Sequence, residues 1–222
     1  DLARCVNIFI VIAMENTSLE HRPRGRPRAF DRDAALDKAI RLFWERGYEA
    51  TSVAELAEAM AINPPSLYAA FGDKKRLFAE AVERYRAGPG GFAAEAMAGA
   101  PSARDAVARF LERAAALYSD PAHPLGCMVI HAGQNCAAGD EDVARNLAAI
   151  RGSMEALIRA RIEKGVQQGE LPPGTDPADL AAFYATVIQG MSTKARDGAA
   201  AEQLSAVARR AMTAWPQTNE DS

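Results

Sequence analysis

Ser52-Val53-Ala54-Glu55-Leu56-Ala57-Glu58-Ala59-Met60-Ala61-Ile62-Asn63-Pro64-Pro65-Ser66-Leu67-Tyr68-Ala69-Ala70-Phe71 decides the fold. Ser52 and Glu55 have the spacing of a capping box, in which hydroxyl and carboxylate satisfy the free amides of a helix start. Val53, Leu56, Ala57 and Met60 follow at i, i+3, i+4 and i+7, one face of a helix. Ala61-Ile62 breaks the pattern. Asn63 is a strong N-cap, and Pro64 suits the first helical position because its missing N–H would be unsatisfied there anyway. Leu67 and Phe71 lie one turn apart. Two short helices joined by so tight a turn have the helix-turn-helix layout.

Upstream, Leu36, Ala39, Ile40 and Phe43 predict a preceding helix that stops at Gly47. Downstream, Gly72 ends the second short helix and Asp73 caps another, whose buried stripe is Leu77, Phe78, Ala81, Val82 and Tyr85. Gly88-Pro89-Gly90-Gly91 breaks the chain and reads as a linker or kink. Further on, Ser102 caps a helix carrying Val107, Phe110, Leu111, Ala114, Leu117 and Tyr118. Val143 to Ile162 mark one long helix ending near Gly169. Asp176-Pro177 starts a helix through Met191, and a last one runs from Leu204 to Trp215, before Pro216. Few Val, Ile and Thr runs and abundant alanine favour helix. The expectation is an all-α chain: residues 1–29 a disordered extension and basic arm, 30–87 a three-helix helix-turn-helix domain, 88–216 a helical ligand-binding and dimerisation domain, and 217–222 a disordered tail.

Gly47-Tyr48-Glu49-Ala50-Thr51-Ser52-Val53, Leu56-Ala57, Pro65-Ser66-Leu67-Tyr68-Ala69-Ala70-Phe71, Asp73-Lys74 and Leu77-Phe78 together resemble the N-terminal domain of TetR-family transcriptional regulators. The set spans about residues 30–90; the C-terminal region is similar to the family only in size and helix count. The resemblance implies a homodimer whose small domain binds a double-stranded DNA operator and whose larger domain dimerises and holds a small-molecule effector. It places Thr51, Ser52, Tyr68 and Lys74 against phosphates and the helix Pro64–Phe71 in the major groove. One departure is Ala61, at a turn position usually held by Gly; if the turn needs a positive φ, Ala costs about 1 kcal/mol.

The chemistry supports this beside the resemblance. Hydroxyls of Thr51, Ser52 and Tyr68 and the helix-start amides can donate to phosphate oxygens, and Lys74 supplies charge. Pro65, Ser66, Ala69 and Ala70 are left to read bases: small apolar faces suit thymine methyls, and a serine bonds several base edges. The helix has no Arg, Asn or Gln, so direct readout is modest. The net charge is −3, but residues 22–32 hold five arginines against the single acid Asp31. Pro23-Arg24-Gly25-Arg26-Pro27, followed by Arg28, has the pattern of a minor-groove hook: glycine lets the backbone sit deep, prolines keep it extended, and arginines seek the negative potential. Its bland alternative is a solubilising tail.

The C-terminal region is less informative. In Leu125–Cys136, Cys127 and His131 would share one helical face, open to three readings: packing, an effector-pocket wall with His131, Gln134 or Asn135 orienting an apolar ligand, or an electrophile or oxidant sensor in which His131 lowers the thiol pKa. Phe110, Tyr118, Met154, Phe183 and Tyr184 are further pocket candidates; at helical spacing they equally suit plain core. Met191 is one more such candidate. Small residues on the last two helices (Ala181, Ala182, Ala185, Gly190; Ala206, Ala208, Ala211) suit close helix pairing between two chains or within one. A Cys/His enzyme is a remote alternative, since no third orienting group, phosphate loop or nucleophile elbow accompanies the pair. No cofactor and no metal are expected, His123 and Cys136 being the only added ligand candidates. Cys5, Cys127 and Cys136 show no CxxC or disulfide framework, which predicts a reducing cytoplasm. Val6–Ala13 is apolar but too short to span a bilayer. Met14 is the expected translation start, with residues 1–13 an upstream extension.

Overall fold

A computed structural model describes residues 30–134 and 136–217; the arginine arm, Asn135 and the last five residues lie outside it. The described residues form ten α-helices and one short 3-10 turn, and no strand. Helix α1 is Arg32–Arg46, α2 Val53–Met60, α3 Pro64–Phe71 and α4 Lys74–Ala87. After the turn η1, Pro89–Gly91, come α5 Phe92–Ala98, α6 Ala103–Tyr118, α7 Met128–His131, α8 Glu141–Gln167, α9 Pro177–Arg196 and α10 Ala201–Met212.

The predicted caps operate. The Ser52 hydroxyl accepts from the Glu55 amide while the Glu55 carboxylate takes the Ser52 amide. Asn63 and Asp73 cap α3 and α4 through their side chains. Ala61 adopts φ 58°, ψ 41°, the left-handed conformation at issue in the turn. Two features depart from the sequence reading. Beyond the Gly88–Gly91 break the chain re-enters a helix at once, α5, whose Ala93, Ala96 and Met97 are buried; its seven alanine-rich residues are too few to show a clear period. In the segment after Leu125 only four residues are helical, and Cys127 is their N-cap.

One continuous apolar core runs from α1–α4 into α6–α10. The expected small face on the last two helices is split. Ala208 and Ala211 of α10 are buried, with α10 packed against α6, whereas Ala182 and Gly190 of α9 are exposed. Exposed small residues continue instead onto α8, at Ala149, Gly152, Ser153, Ala156 and Ala160.

Polar ties fix the first four helices to the rest. The Tyr48 amide donates to the Ala132 carbonyl at 2.8 Å. Lys75 pairs with Asp140 and Asp142 at 2.9 Å each, and those carboxylates raise its pKa. Arg196 donates to the carbonyls of Trp44 and Glu45 at the end of α1.

Candidate nucleic-acid interface

Helix α3 buries only Leu67 and Phe71. Pro65, Tyr68 and Ala69 are exposed, Ser66 is half-buried, and Tyr68 is 50% exposed. A phenol that open is not a core side chain. Ala70, the fourth residue expected at bases, is half-buried, and its carbonyl accepts from Arg32. Arg32 also pairs with Glu80 of α4 and lies 4.3 Å over the Phe71 ring. It therefore locks the C-terminal end of α3 to α1 and α4. Arg32 was read only as part of the basic arm, because nothing in its neighbours announces a partner 48 residues away.

Ser52 is exposed at the start of α2, its hydroxyl donating to Glu55 at 2.7 Å. Its amide is likewise taken by Glu55, so the donors still open at this helix start lie beyond it. Lys74 holds its ammonium 4.2 Å above the Tyr48 ring, a cation–π contact that fixes the head of α4 beside the open face. Thr51 corrects the sequence reading. It is fully buried, its hydroxyl donates to the Gly47 carbonyl at 2.7 Å and its amide to the Tyr48 carbonyl. With its polar atoms spent inside, Thr51 shapes the turn before α2 and does not present a hydroxyl outward.

The pocket candidates do not line one cavity. Phe110 and Tyr118 are buried in α6, Met154 is half-buried, Gln134 is exposed, and Phe183 is 41% exposed. Tyr184 is buried beside Trp215, its hydroxyl donating to Ala211. The Cys127–His131 pairing is also corrected. His131 Nε2 contacts the Ser192 hydroxyl at 2.9 Å, whereas the Cys127 sulfur receives the Tyr85 hydroxyl at 3.5 Å. Burial raises the thiol pKa above its ordinary value, opposite to the activation expected from a neighbouring histidine. Buried Ser192, which also accepts from the Cys127 amide at 2.8 Å, was not singled out in the sequence, since a lone serine in a helix carries no signal. Among the described residues no cluster of three metal-ligating side chains occurs, and no helix is long and apolar enough to cross a membrane.

A capped pair of short helices, the second presenting an open face and held by α1 and α4, defines a helix-turn-helix DNA-binding regulator. Residues 35–81 match the family described as bacterial regulatory proteins, tetR family, and residues 93–215 match the tetracyclin repressor-like C-terminal domain. The chain is 37% identical over 210 residues to the HTH-type transcriptional repressor ComR of Escherichia coli K12, covering 93% of this chain and 99% of ComR. It is 33% identical to the repressor BdcR of the same organism, covering 88% and 94%. Among solved structures, the TetR-family regulator CifR, a cysteine mutant complexed with a 26 bp double-strand operator, superimposes with a TM-score of 0.84 at 46% identity, covering 86% of this chain and all of that one. The chain belongs to the TetR family of bacterial transcriptional regulators.

Proposed function

We propose that the protein is a cytoplasmic, non-enzymatic repressor that binds a near-palindromic operator as a homodimer and is released by a small-molecule effector. The open face of α3, with Tyr68 half exposed beside Ser66 and Ala69, is the observation that carries this reading. Pro65, Ser66 and Ala69 meet base edges; Ser52, Tyr68 and Lys74 meet phosphates; Arg24, Arg26 and Arg28 follow the minor groove. The likeness to repressors over nearly the whole chain, and to a regulator held on operator DNA, supports it. Two chains pair through the exposed small residues of α8 and α9, which allow close helix approach. The division near Gly88 separates the reading head from the effector and dimerisation region. The effector acts by binding more tightly to a form whose two heads no longer match the groove spacing.

A fluorescence titration of operator DNA against Tyr68→Phe and Lys74→Gln tests the interface. Each variant weakens binding about equally on every sequence, because phosphate contacts position without reading. Unchanged affinity in both would remove α3 and the head of α4 from the interface.

A further inference from the structure

A cleft of about 480 Å3 opens where the reading head meets the rest of the protein, within the ~300–1,000 Å3 range of small-molecule pockets. Arg41 and Glu45 reach it from α1, and Arg196 from the last turn of α9. The connection between α6 and α7 supplies His123 and an apolar side made by Pro121, Pro124 and Leu125. Both arginines are held by backbone carbonyls across the junction. Arg41 Nη1 donates to the Ala122 carbonyl at 2.9 Å. Arg196 donates to the carbonyls of Trp44 at 3.4 Å and Glu45 at 2.9 Å. Neither guanidinium is paired with a carboxylate among the described residues, although Glu45 lines the same cleft. Each guanidinium has five N–H donors, so donors stay open on both.

The groups around the cleft are set in place before any ligand arrives. The Arg196 stem lies against Gly126, where a Cβ would stand 3.0 Å from its Cγ. The His123 ring stacks on the Trp44 indole at 4.5 Å. Its Nδ1 contacts the Pro124 carbonyl at 3.1 Å. A carbonyl only accepts, which puts the proton on Nδ1. Nε2 is buried and has no hydrogen-bond partner among the described residues, the Asp120 carboxylate standing 3.8 Å away. A buried ring nitrogen left so costs stability. It can accept from a ligand hydroxyl or, once protonated, donate to a ligand carboxylate.

We infer that this cleft is an effector site for a small apolar monocarboxylate, whose carboxylate engages Arg41 and Arg196 while its hydrocarbon body rests on Pro121, Pro124 and Leu125. Two open guanidiniums select an anion, and the Glu45 carboxylate beside them repels a second negative charge. The site is coupled to the head through its own donors. Trp44 and Glu45 lie in the last turn of α1, where carbonyls lack partners within the helix, and Arg196 caps them from α9. A carboxylate is a stronger acceptor for a guanidinium than a carbonyl is. It draws Arg196 off the end of α1 and Arg41 off Ala122. The anion therefore binds more tightly to a form in which α1 has moved from the position these bonds fix, and it favours that form.

This inference rests on the effector-released repressor reading. The test titrates the full-length protein by calorimetry with benzoate, cyclohexanecarboxylate and the uncharged benzamide. At least one carboxylate binds once per chain, and benzamide binds about tenfold or more weakly, the loss of a charge-assisted contact. Arg41 is exposed, so Arg41→Gln keeps the fold, and it weakens carboxylate binding about tenfold or more. Arg109→Gln, which removes a charge away from the cleft, leaves it unchanged. Isophthalate, with a second charge, binds more weakly than benzoate, and Glu45→Gln narrows that gap. Saturating carboxylate lowers operator affinity about fivefold or more against sodium chloride of equal ionic strength, and Arg41→Gln loses the response. Binding of neither carboxylate, equal binding of benzamide, or equal effects of Arg41→Gln and Arg109→Gln overturns the site. An isophthalate gap unchanged by Glu45→Gln overturns the selection of a single charge. Carboxylate binding that leaves operator affinity intact overturns the role as an effector site. Failure of the ligand-free protein to bind any operator would instead defeat the repressor reading and leave the carboxylate site standing.

Discussion

The Trp44 indole Nε1 donates to the Gly126 carbonyl at 3.0 Å, inside the protein. One residue lies in the last turn of α1 and the other precedes Cys127, so this bond joins the DNA side of the molecule to its core. Its neighbours reinforce it: Tyr85 meets the indole edge-on, and His123 stacks on it at 4.5 Å. Trp44→Phe removes the donor and leaves the Gly126 carbonyl buried without it, a loss of about 1–3 kcal/mol. Chemical denaturation of variant and wild type measures it. An unchanged midpoint would mean the head is held by the shared apolar core and the ties at Tyr48, Lys75 and Arg196 without this bond.

Ala61 is the one non-glycine residue with positive φ among the described residues. The Cβ of an L residue there crowds the following carbonyl, and glycine does not. Ala61→Gly is therefore expected to raise stability by about 0.5–1 kcal/mol, the lost strain being partly offset by the greater freedom of an unfolded glycine. Thermal unfolding reads the change. A lower midpoint would show that the alanine methyl contributes more by contact than it costs in strain.

His131 makes stability depend on pH. Burial first, and then the positive charge of Arg196, lower its pKa below the ordinary 6.5. Above 6.5 the imidazole is neutral in both folded and unfolded chains. As pH falls below 6.5 the unfolded chain takes up the proton first, and stability declines until the folded pKa is reached. Denaturant midpoints measured from pH 7.5 downward should be flat and then fall from about pH 6.5, with His131→Gln abolishing that first fall. Glu80, Glu55 and Asp142, whose pKa values are lowered from 4.5 or 3.8, lose their contributions only at lower pH. A variant that keeps the first fall would assign it to another group.

The arm makes a separate claim on salt. If Arg24 and Arg26 each neutralise a phosphate, replacing both with alanine lowers operator affinity and reduces the slope of log K against log salt by about 1.8. Titrations at several salt concentrations give the slope directly. An unchanged slope would return the arm to a solubilising tail.

The helix-turn-helix was legible because its signals are local. Ser52 with Glu55, Asn63 with Pro64, and Leu67 with Phe71 each need only neighbours a turn away. Thr51 was misread because a hydroxyl in sequence does not show whether its partner is a phosphate or the carbonyl four residues back. Helix α5 was missed because seven alanine-rich residues show little period. The surroundings of Cys127 were half visible. Tyr85 stands on a buried stripe that reads as core, and its meeting with the Cys127 sulfur depends on how α4 packs on α7. His131, nearer in sequence, meets the Ser192 hydroxyl instead of the sulfur.

The central claim is sequence-specific operator binding by a two-fold dimer. Selection of bound duplexes from a random DNA library by the purified full-length protein tests it most directly. The account predicts enrichment of a near-palindrome whose half-sites are centred about 34–36 Å apart, one helical turn, or a multiple of that spacing. Binding to it should be about a thousandfold or more tighter than to random DNA at physiological salt. Equal affinity for selected and random duplexes, with no sequence enriched, would contradict it.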